Sequence, residues 1–337
     1  MKILVTGGGG FLGKTILRQL LARGDSVRSL TRSPQPELAA AGVECCRGDI
    51  ADADSARQAC AGVDAVFHTA ARAGVWGSGA EFFAANVSGT QNLLDACRAN
   101  GVQFFVHTST PSVVYSGGNF AGADEALPLT RSCSCAYPLT KAEAERRVLA
   151  ANGGGDGSAL RTVALRPHLI WGAGDPHLVP RVVHKARAGK LRIVGDGKNR
   201  VDLTHVENAA RAHLLALDAL CGRGPRPAEA VAGNAYFISD GAPVVLWEWI
   251  NALLDRLGVA PVTRHVPCGV ARFAGGLAEC LWKALPLRGE PPLTRFVAEQ
   301  LSHDHWFNIG AARRDLGYAP RMDTAAALDA LVESLAA

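Results

Sequence analysis

Short apolar runs alternate along the first half of the chain with stretches whose apolar side chains recur every three to four positions. This rhythm predicts buried parallel strands separated by amphipathic helices. Residues 3–5 (ILV) form the first strand. A helix over residues 11–23 follows, with Leu12, Ile16 and Leu20 beside Leu17 and Leu21, and Gly24 as its stop. Further strands are predicted at residues 26–31, 43–47, 64–68, 102–109 and 160–166, the last ended by Pro167. One helix is capped near Asp52 and another runs over residues 81–100, closed by Gly101. Pro138 is tolerated only in a helix's first turn, which puts Tyr137 at a helix entrance. Past residue 168 the rhythm loosens into helices near 180–188 and 206–220, a strand at 191–194, and a stretch broken by Pro261, Pro267, Pro286, Pro291 and Pro292. The pattern predicts an α/β fold, a doubly wound parallel sheet in residues 1–167 with a smaller C-terminal substrate lobe in residues 168–337, parts of which return to the core.

Between the first strand and its helix stand Gly7, Gly10 and Gly13, with Gly8 and Gly9 as further glycines. A lone glycine pattern is usually a flexible loop. Here it follows an apolar strand and opens a helix at Phe11 and Leu12, whose free N–H groups can face a pyrophosphate, so a Rossmann dinucleotide cradle is expected. An NAD site usually places an acid about 20 residues after the glycines. This chain has Thr31, Arg32 and Ser33 at the end of the second strand, which suit a 2′-phosphate and favour NADPH. The strand at 64–68 ends at His68 and runs into Thr69, Ala70 and Ala71, small residues at the edge where open parallel sheets bind ligands.

Composition narrows the classes. In 337 residues, 48% hydrophobic and 20% charged, a net charge of +4 is spread without a basic run, which argues against nucleic acid. Nine cysteines and an N-terminus that goes directly into a core strand lead us to expect a reducing cytoplasm. Cys133 and Cys135 lack a second ligand pair and His303-x-His305 stands alone, so no metal is expected. No run of about 20 uncharged apolar residues is present to span a bilayer. In residues 269–287, Val270, Phe273, Leu277, Leu281, Trp282 and Leu285 form an apolar stripe. Such a stripe is usually packed into a core; the alternative, favoured by the Gly275-Gly276 pair that permits a bend, is that it covers a substrate's alkyl chains, and such a helix also suits a membrane surface.

Tyr137 and Lys141 are four residues apart, on one helix face. An ammonium beside a phenol lowers its pKa and enables proton exchange with a ketone or alcohol, and Lys141 can also hold the nicotinamide ribose. TGGGGFLG, Y-x-x-x-K, NVSGTQNLL (86–94), LRPHLIWG (165–172) and DLTHVEN (202–208) together resemble the extended short-chain dehydrogenase/reductase family. LWEWIN and GEPPLTRF are similar to its 3β-hydroxysteroid dehydrogenase-like branch. Within that branch VWGSGAEFF, TSTPSVVY and SHDHWFNIGAARRDLGY resemble the bacterial 2-alkyl-3-oxoalkanoate reductases of long-chain olefin synthesis. The resemblance implies that Thr110 occupies the place of the family's catalytic serine, a departure that leaves Ser109 and Ser112 as alternative hydroxyl donors. It further implies that Asp49 and Ile50 contact adenine, that His68, Thr69 and Ala70 line the cofactor, and that Pro167 and His168 lie beside the nicotinamide. The expected activity is NADPH-dependent reduction of a lipid-like 2-alkyl-3-oxoalkanoic acid by Tyr137, Lys141 and Thr110. The competing readings are a 3β-hydroxysteroid or sterol dehydrogenase, a nucleotide-sugar epimerase and a non-enzymatic cofactor sensor. A homodimer and contacts with other enzymes of the same pathway are also expected.

Overall fold

The computed structural model describes all residues except 154–159, 177, 286, 323 and 337, so the predicted breaker Pro286 lies outside the described residues. Its main sheet is built from β1 (Lys2–Thr6), β2 (Ser26–Thr31), β3 (Glu44–Arg47), β4 (Ala65–His68), β5 (Phe104–Thr108), β6 (Arg161–Pro167) and β7 (Ala235–Ile238). The order is β7-β6-β5-β4-β1-β2-β3 and every pairing is parallel. The winding reverses at β1, which pairs with β2 on one side and β4 on the other, the switch point at whose carboxyl ends open α/β sheets bind ligands.

Alternation along the strands builds the two layers. Ile3, Val5, Phe67 and Val106 face one helical layer, where α1 (Phe11–Ala22) contributes Ile16, Leu17 and Leu20. Leu4, Val66 and Phe105 face the other, where α2 (Gly89–Ala99) contributes Leu93 and Leu94 and α3 (Ala136–Ala150) contributes Val148. From the C-terminal half, α4 (Val206–Leu220) packs on the α1 side through Ala210, Leu217 and Leu220. A separate apolar cluster holds Trp171, Val201, Trp247, Leu253 and Leu331.

Three local expectations need correction. β7 lay outside the predicted strands, yet Tyr236, Phe237 and Ile238 are each 1% exposed; the strand is recruited by pairing with β6. Residues 111–134, where the pattern predicts no element, contain a strand, Phe120–Ala123, which pairs with His305–Phe307 in a four-stranded sheet. The helix expected over residues 81–100 is Gly79–Phe83, a π-helical turn over Ala84–Ser88, then α2. At the end of that turn a Cβ on Gly89 would sit 2.7 Å from Ile50, so glycine lets the helix approach the end of β3.

The C-terminal helix α5 (Cys268–Ala284) is continuous, and its stripe is turned the other way from the expected cover. Val270, Phe273, Leu277, Leu281 and Leu285 are exposed, whereas Ala271, Gly275 and Glu279 are buried. The reason is close packing on α6 (Arg295–Gln300): a Cβ on Gly275 would lie 2.7 Å from the Thr294 carbonyl carbon. Gly275 seats the middle of α5 against the N-terminus of α6, and the helix runs unbroken through the glycine pair. Trp282 is only partly exposed and lies off the outward row.

Candidate active site

The glycine turn is shaped by close approach. Gly7 adopts φ +72°, and a Cβ there would meet the Ala70 backbone at 3.0 Å. A Cβ on Gly13 would lie 2.2 Å from the Gly7 carbonyl oxygen, and one on Gly8 2.2 Å from Ser29 Oγ. Gly10 donates its N–H to Gly7 O at 2.9 Å and precedes α1, whose first turn has no side-chain cap and no acid. Phe11 and Leu12 open the helix there, leaving N–H groups for an anion. Thr69 Oγ1 donates to Thr6 O at 2.7 Å and Ala70 N–H to Thr6 Oγ1 at 3.3 Å, so both lie directly against the turn. The cradle is filled by backbone and fits a dinucleotide's pyrophosphate.

Arg32 is exposed just past β2, beside Thr31, which bonds Ser33 O at 2.9 Å. Asp49 is exposed at the end of β3 and holds the Ala51 N–H at 2.9 Å, while Ile50 is buried with its carbonyl accepting from Asn92. His68 ends β4, but its ring is held between Thr6 Oγ1 at 2.8 Å and Thr90 Oγ1 at 2.9 Å, inside the core. Burial, reinforced by the Lys141 charge, lowers it to about 3 and keeps it neutral. Pro167 ends β6 opposite Ile238. The next residue, His168, is buried with Nε2 3.1 Å from His305 Nδ1, a partner supplied by the C-terminal segment.

Tyr137 enters α3 one residue after its start, as Pro138 requires, and Lys141 lies one turn further on. Burial pushes Tyr137 up to about 12, opposed by its hydrogen bond with the Thr110 hydroxyl, so the phenol holds its proton at neutral pH. Thr110 is therefore the hydroxyl that meets Tyr137, and it also bonds Ser112 Oγ at 3.3 Å. Ser109 is engaged elsewhere: its Oγ donates to Glu145 Oε2 at 2.5 Å in the core. Lys141 Nζ donates to Thr108 O at 2.7 Å and to His107 Nε2 at 3.2 Å. Burial lowers Lys141 to about 7, with Glu145 acting against that shift. The expectation that Lys141 stabilises the phenolate is not met here, because burial dominates Tyr137 and the ammonium is directed at Thr108 and His107.

Sequence reasoning missed several supporting groups. His107 Nε2 lies 3.2 Å from Lys141 Nζ, and burial foremost, with the Lys141 charge, holds the ring neutral. The signal was available in the alternation of β5, which turns Phe105 and His107 to one face and Val106 to the other. Glu145 and Arg166 form a buried pair at 2.6 Å beneath Ser109. Asn86, in the π-helical turn, accepts the Arg72 N–H at 2.7 Å and donates to Thr140 Oγ1 at 3.1 Å, tying the loop after β4 to the Tyr137 helix. Around Tyr137 an apolar wall is formed by Tyr115, Cys135, Phe296 and Val75, with the Tyr115 and Phe296 rings edge to face at 5.1 Å.

The profile of the 3-beta hydroxysteroid dehydrogenase/isomerase family matches residues 4–267. The 2-alkyl-3-oxoalkanoate reductase of Stenotrophomonas maltophilia is 50% identical over 340 aligned positions, covering 100% of each chain. The enzyme of the same name from Shewanella oneidensis is 44% identical, covering 94% of this chain and 81% of its own. Among solved structures, the dTDP-glucose 4,6-dehydratase DesIV of Streptomyces venezuelae, determined with NAD bound, superposes with a TM-score of 0.75 at 27% identity, covering 100% of this chain and 97% of that one.

Proposed function

The chain belongs to the 3-beta hydroxysteroid dehydrogenase/isomerase family, a nicotinamide-dependent oxidoreductase lineage, and from that membership we propose that it reduces a 2-alkyl-3-oxoalkanoic acid to the 3-hydroxy acid with NADPH. The observation that carries the substrate is the 50% identity, end to end, with a reductase of that name. At neutral pH Tyr137 holds the proton that ketone reduction must deliver to the carbonyl oxygen.

A nicotinamide cofactor held in the cradle would supply the hydride that the ketone carbon takes up. Tyr137 gives its phenolic proton to the carbonyl oxygen as the C=O π pair moves onto it, and Thr110 donates a hydrogen bond to the same oxygen. Lys141 has two of its three N–H groups on Thr108 and His107, leaving one for the nicotinamide ribose. Gly7, Gly10, Phe11, Leu12 and Gly13 hold the pyrophosphate, Asp49 and Ile50 border the adenine, and Pro167 and His168 border the nicotinamide. The exposed Arg32, with no acid from Thr31 to Gln35, supports NADPH over NADH. The apolar wall of Val75, Tyr115 and Phe296 suits the substrate's hydrocarbon branches.

All nine cysteines are unbridged, which suits a reducing cytoplasm, and no helix of the described residues is long and apolar enough to cross a membrane. A homodimer and a place among enzymes of long-chain olefin synthesis complete the reading. The test is cofactor oxidation with a 2-alkyl-3-oxoalkanoic acid, a 3-ketosteroid and a nucleotide sugar, each with NADPH and NADH. Turnover confined to the keto acid and NADPH supports the assignment. Turnover of the steroid alone replaces it.

A further inference from the structure

Helix α5 is built inside out. Its inward face is made of Ala271, Gly275 and Glu279, with Glu279 paired to Arg295 at 2.7 Å. Its outward face carries Val270, Phe273, Leu277, Leu281 and Leu285, with Phe273 76% and Leu277 55% exposed. A single exposed leucine is ordinary; a continuous row along a helix marks a contact surface. No described segment of the chain covers it.

The surroundings of the row are basic. Residues 178–192 carry five Lys/Arg and no acid, and residues 264–295 carry five Lys/Arg and two Glu, a net +8 in a chain whose total is +4. The two segments adjoin: Lys185 Nζ donates to Pro292 O at 3.1 Å and Arg181 pairs with Glu290 at 2.8 Å. Both acids are thereby neutralised, Glu279 by Arg295 and Glu290 by Arg181. Lys283, Arg187, Lys190 and Arg288 are exposed and enter no salt bridge among the described residues. Arg272 of the same helix is taken up by Glu299, so the cations outside salt bridges among the described residues include Lys283 on the helix and Arg187, Lys190 and Arg288 in the adjoining segments. An exposed apolar row with cations beside it matches a bilayer interface, acyl chains below and anionic headgroups beside it.

We propose that the outward face of α5 docks the protein on an anionic membrane surface, with the mouth of the active site beside the bilayer. The second half of the statement rests on contacts behind the helix. Lys283 Nζ lies 6.0 Å over the Trp76 ring, in the loop after β4, and Phe296 of the underlying α6 belongs to the apolar wall at Tyr137. A hydrocarbon chain leaving the bilayer at this helix meets that wall first. The direction of cargo rests on the proposed substrate; the docking does not.

The test is flotation of the full chain with vesicles of phosphatidylcholine alone and of phosphatidylcholine with phosphatidylglycerol. Wild type is expected to float with the anionic vesicles and to be released as salt rises. Phe273→Ser with Leu277→Ser removes two exposed side chains, so folding and turnover of a short soluble ketone are unchanged while partition falls at least about tenfold. Lys283→Glu with Arg288→Glu is expected to abolish the preference for anionic vesicles. The proposal is overturned if wild type stays with the soluble fraction. It is equally overturned if Phe273→Ser with Leu277→Ser halves the solution mass of the chain, since the row is then covered by a second copy. Docking without turnover of a long-chain keto acid supports the surface and removes only the substrate assignment.

Discussion

Glu145→Gln probes the clamp beneath the active site. Glu145 is fully buried, accepts from Ser109 at 2.5 Å, and holds Arg166 at 2.6 and 3.1 Å, joining α3 to the end of β5 and to β6. Arg166 stacks on Phe237 at 5.0 Å and has no exit to water, being 3% exposed. The amide preserves shape and one acceptor but leaves a buried guanidinium uncompensated. The expected cost is about 3 kcal/mol, the lower end for breaking a buried pair. With an unfolding entropy of roughly 2 cal/mol/K per residue, a chain of 337 residues should melt about 4 °C lower. Glu145→Leu with Arg166→Met, which removes both charges, should recover most of that loss. Because Glu145 also opposes the lowering of Lys141, the amide variant should bind cofactor more weakly at pH 7 than at pH 6, relative to wild type. Thermal melts of the single and the double variant, with cofactor titrations at both pH values, test this. A Glu145→Gln melt within about 1 °C of wild type would refute the clamp.

Three further outcomes are expected. Tyr137→Phe should retain cofactor affinity while kcat falls by about 10²-fold or more, measured by cofactor oxidation and by fluorescence titration; near-normal turnover would remove Tyr137 from the chemistry. Arg32→Ala should weaken NADPH by on the order of 10-fold or more with little change for NADH, a ratio read from apparent affinities. Lys141 titrates near 7 in the folded chain against 10.5 for the free group, so between those values the unfolded chain holds more protons and this group's contribution to stability rises with pH. Urea melts from pH 7 to 10 should show that slope in wild type and lose it in Lys141→Met.

The helix α5 shows where pattern reading stops. Its spacing predicts an apolar row, yet periodicity cannot say whether the row points into the protein. Packing decided that, because Ala271 and Gly275 allow close contact with α6 where Phe273 or Leu277 would not. The same limit applies to Thr110, Ser109 and Ser112. The resemblance puts Thr110 first with Ser109 and Ser112 as alternatives, and Glu145, 36 residues from Ser109, takes Ser109 into the core.

What the amino-acid order determined by itself was local. The apolar run Ile3, Leu4 and Val5, the glycines at 7, 10 and 13, the uncapped opening of α1 and the Tyr137/Lys141 spacing are each contained in one segment, so backbone sterics and periodicity suffice to read them. What only the tertiary structure decided joins distant segments. β7 exists because β6 pairs with it, the strand Phe120–Ala123 because His305–Phe307 lies beside it, and the His168 contact because the C-terminal segment brings His305 within 3.1 Å. The state of Lys141 belongs to the same class, since burial lowers it and burial is a property of the whole fold.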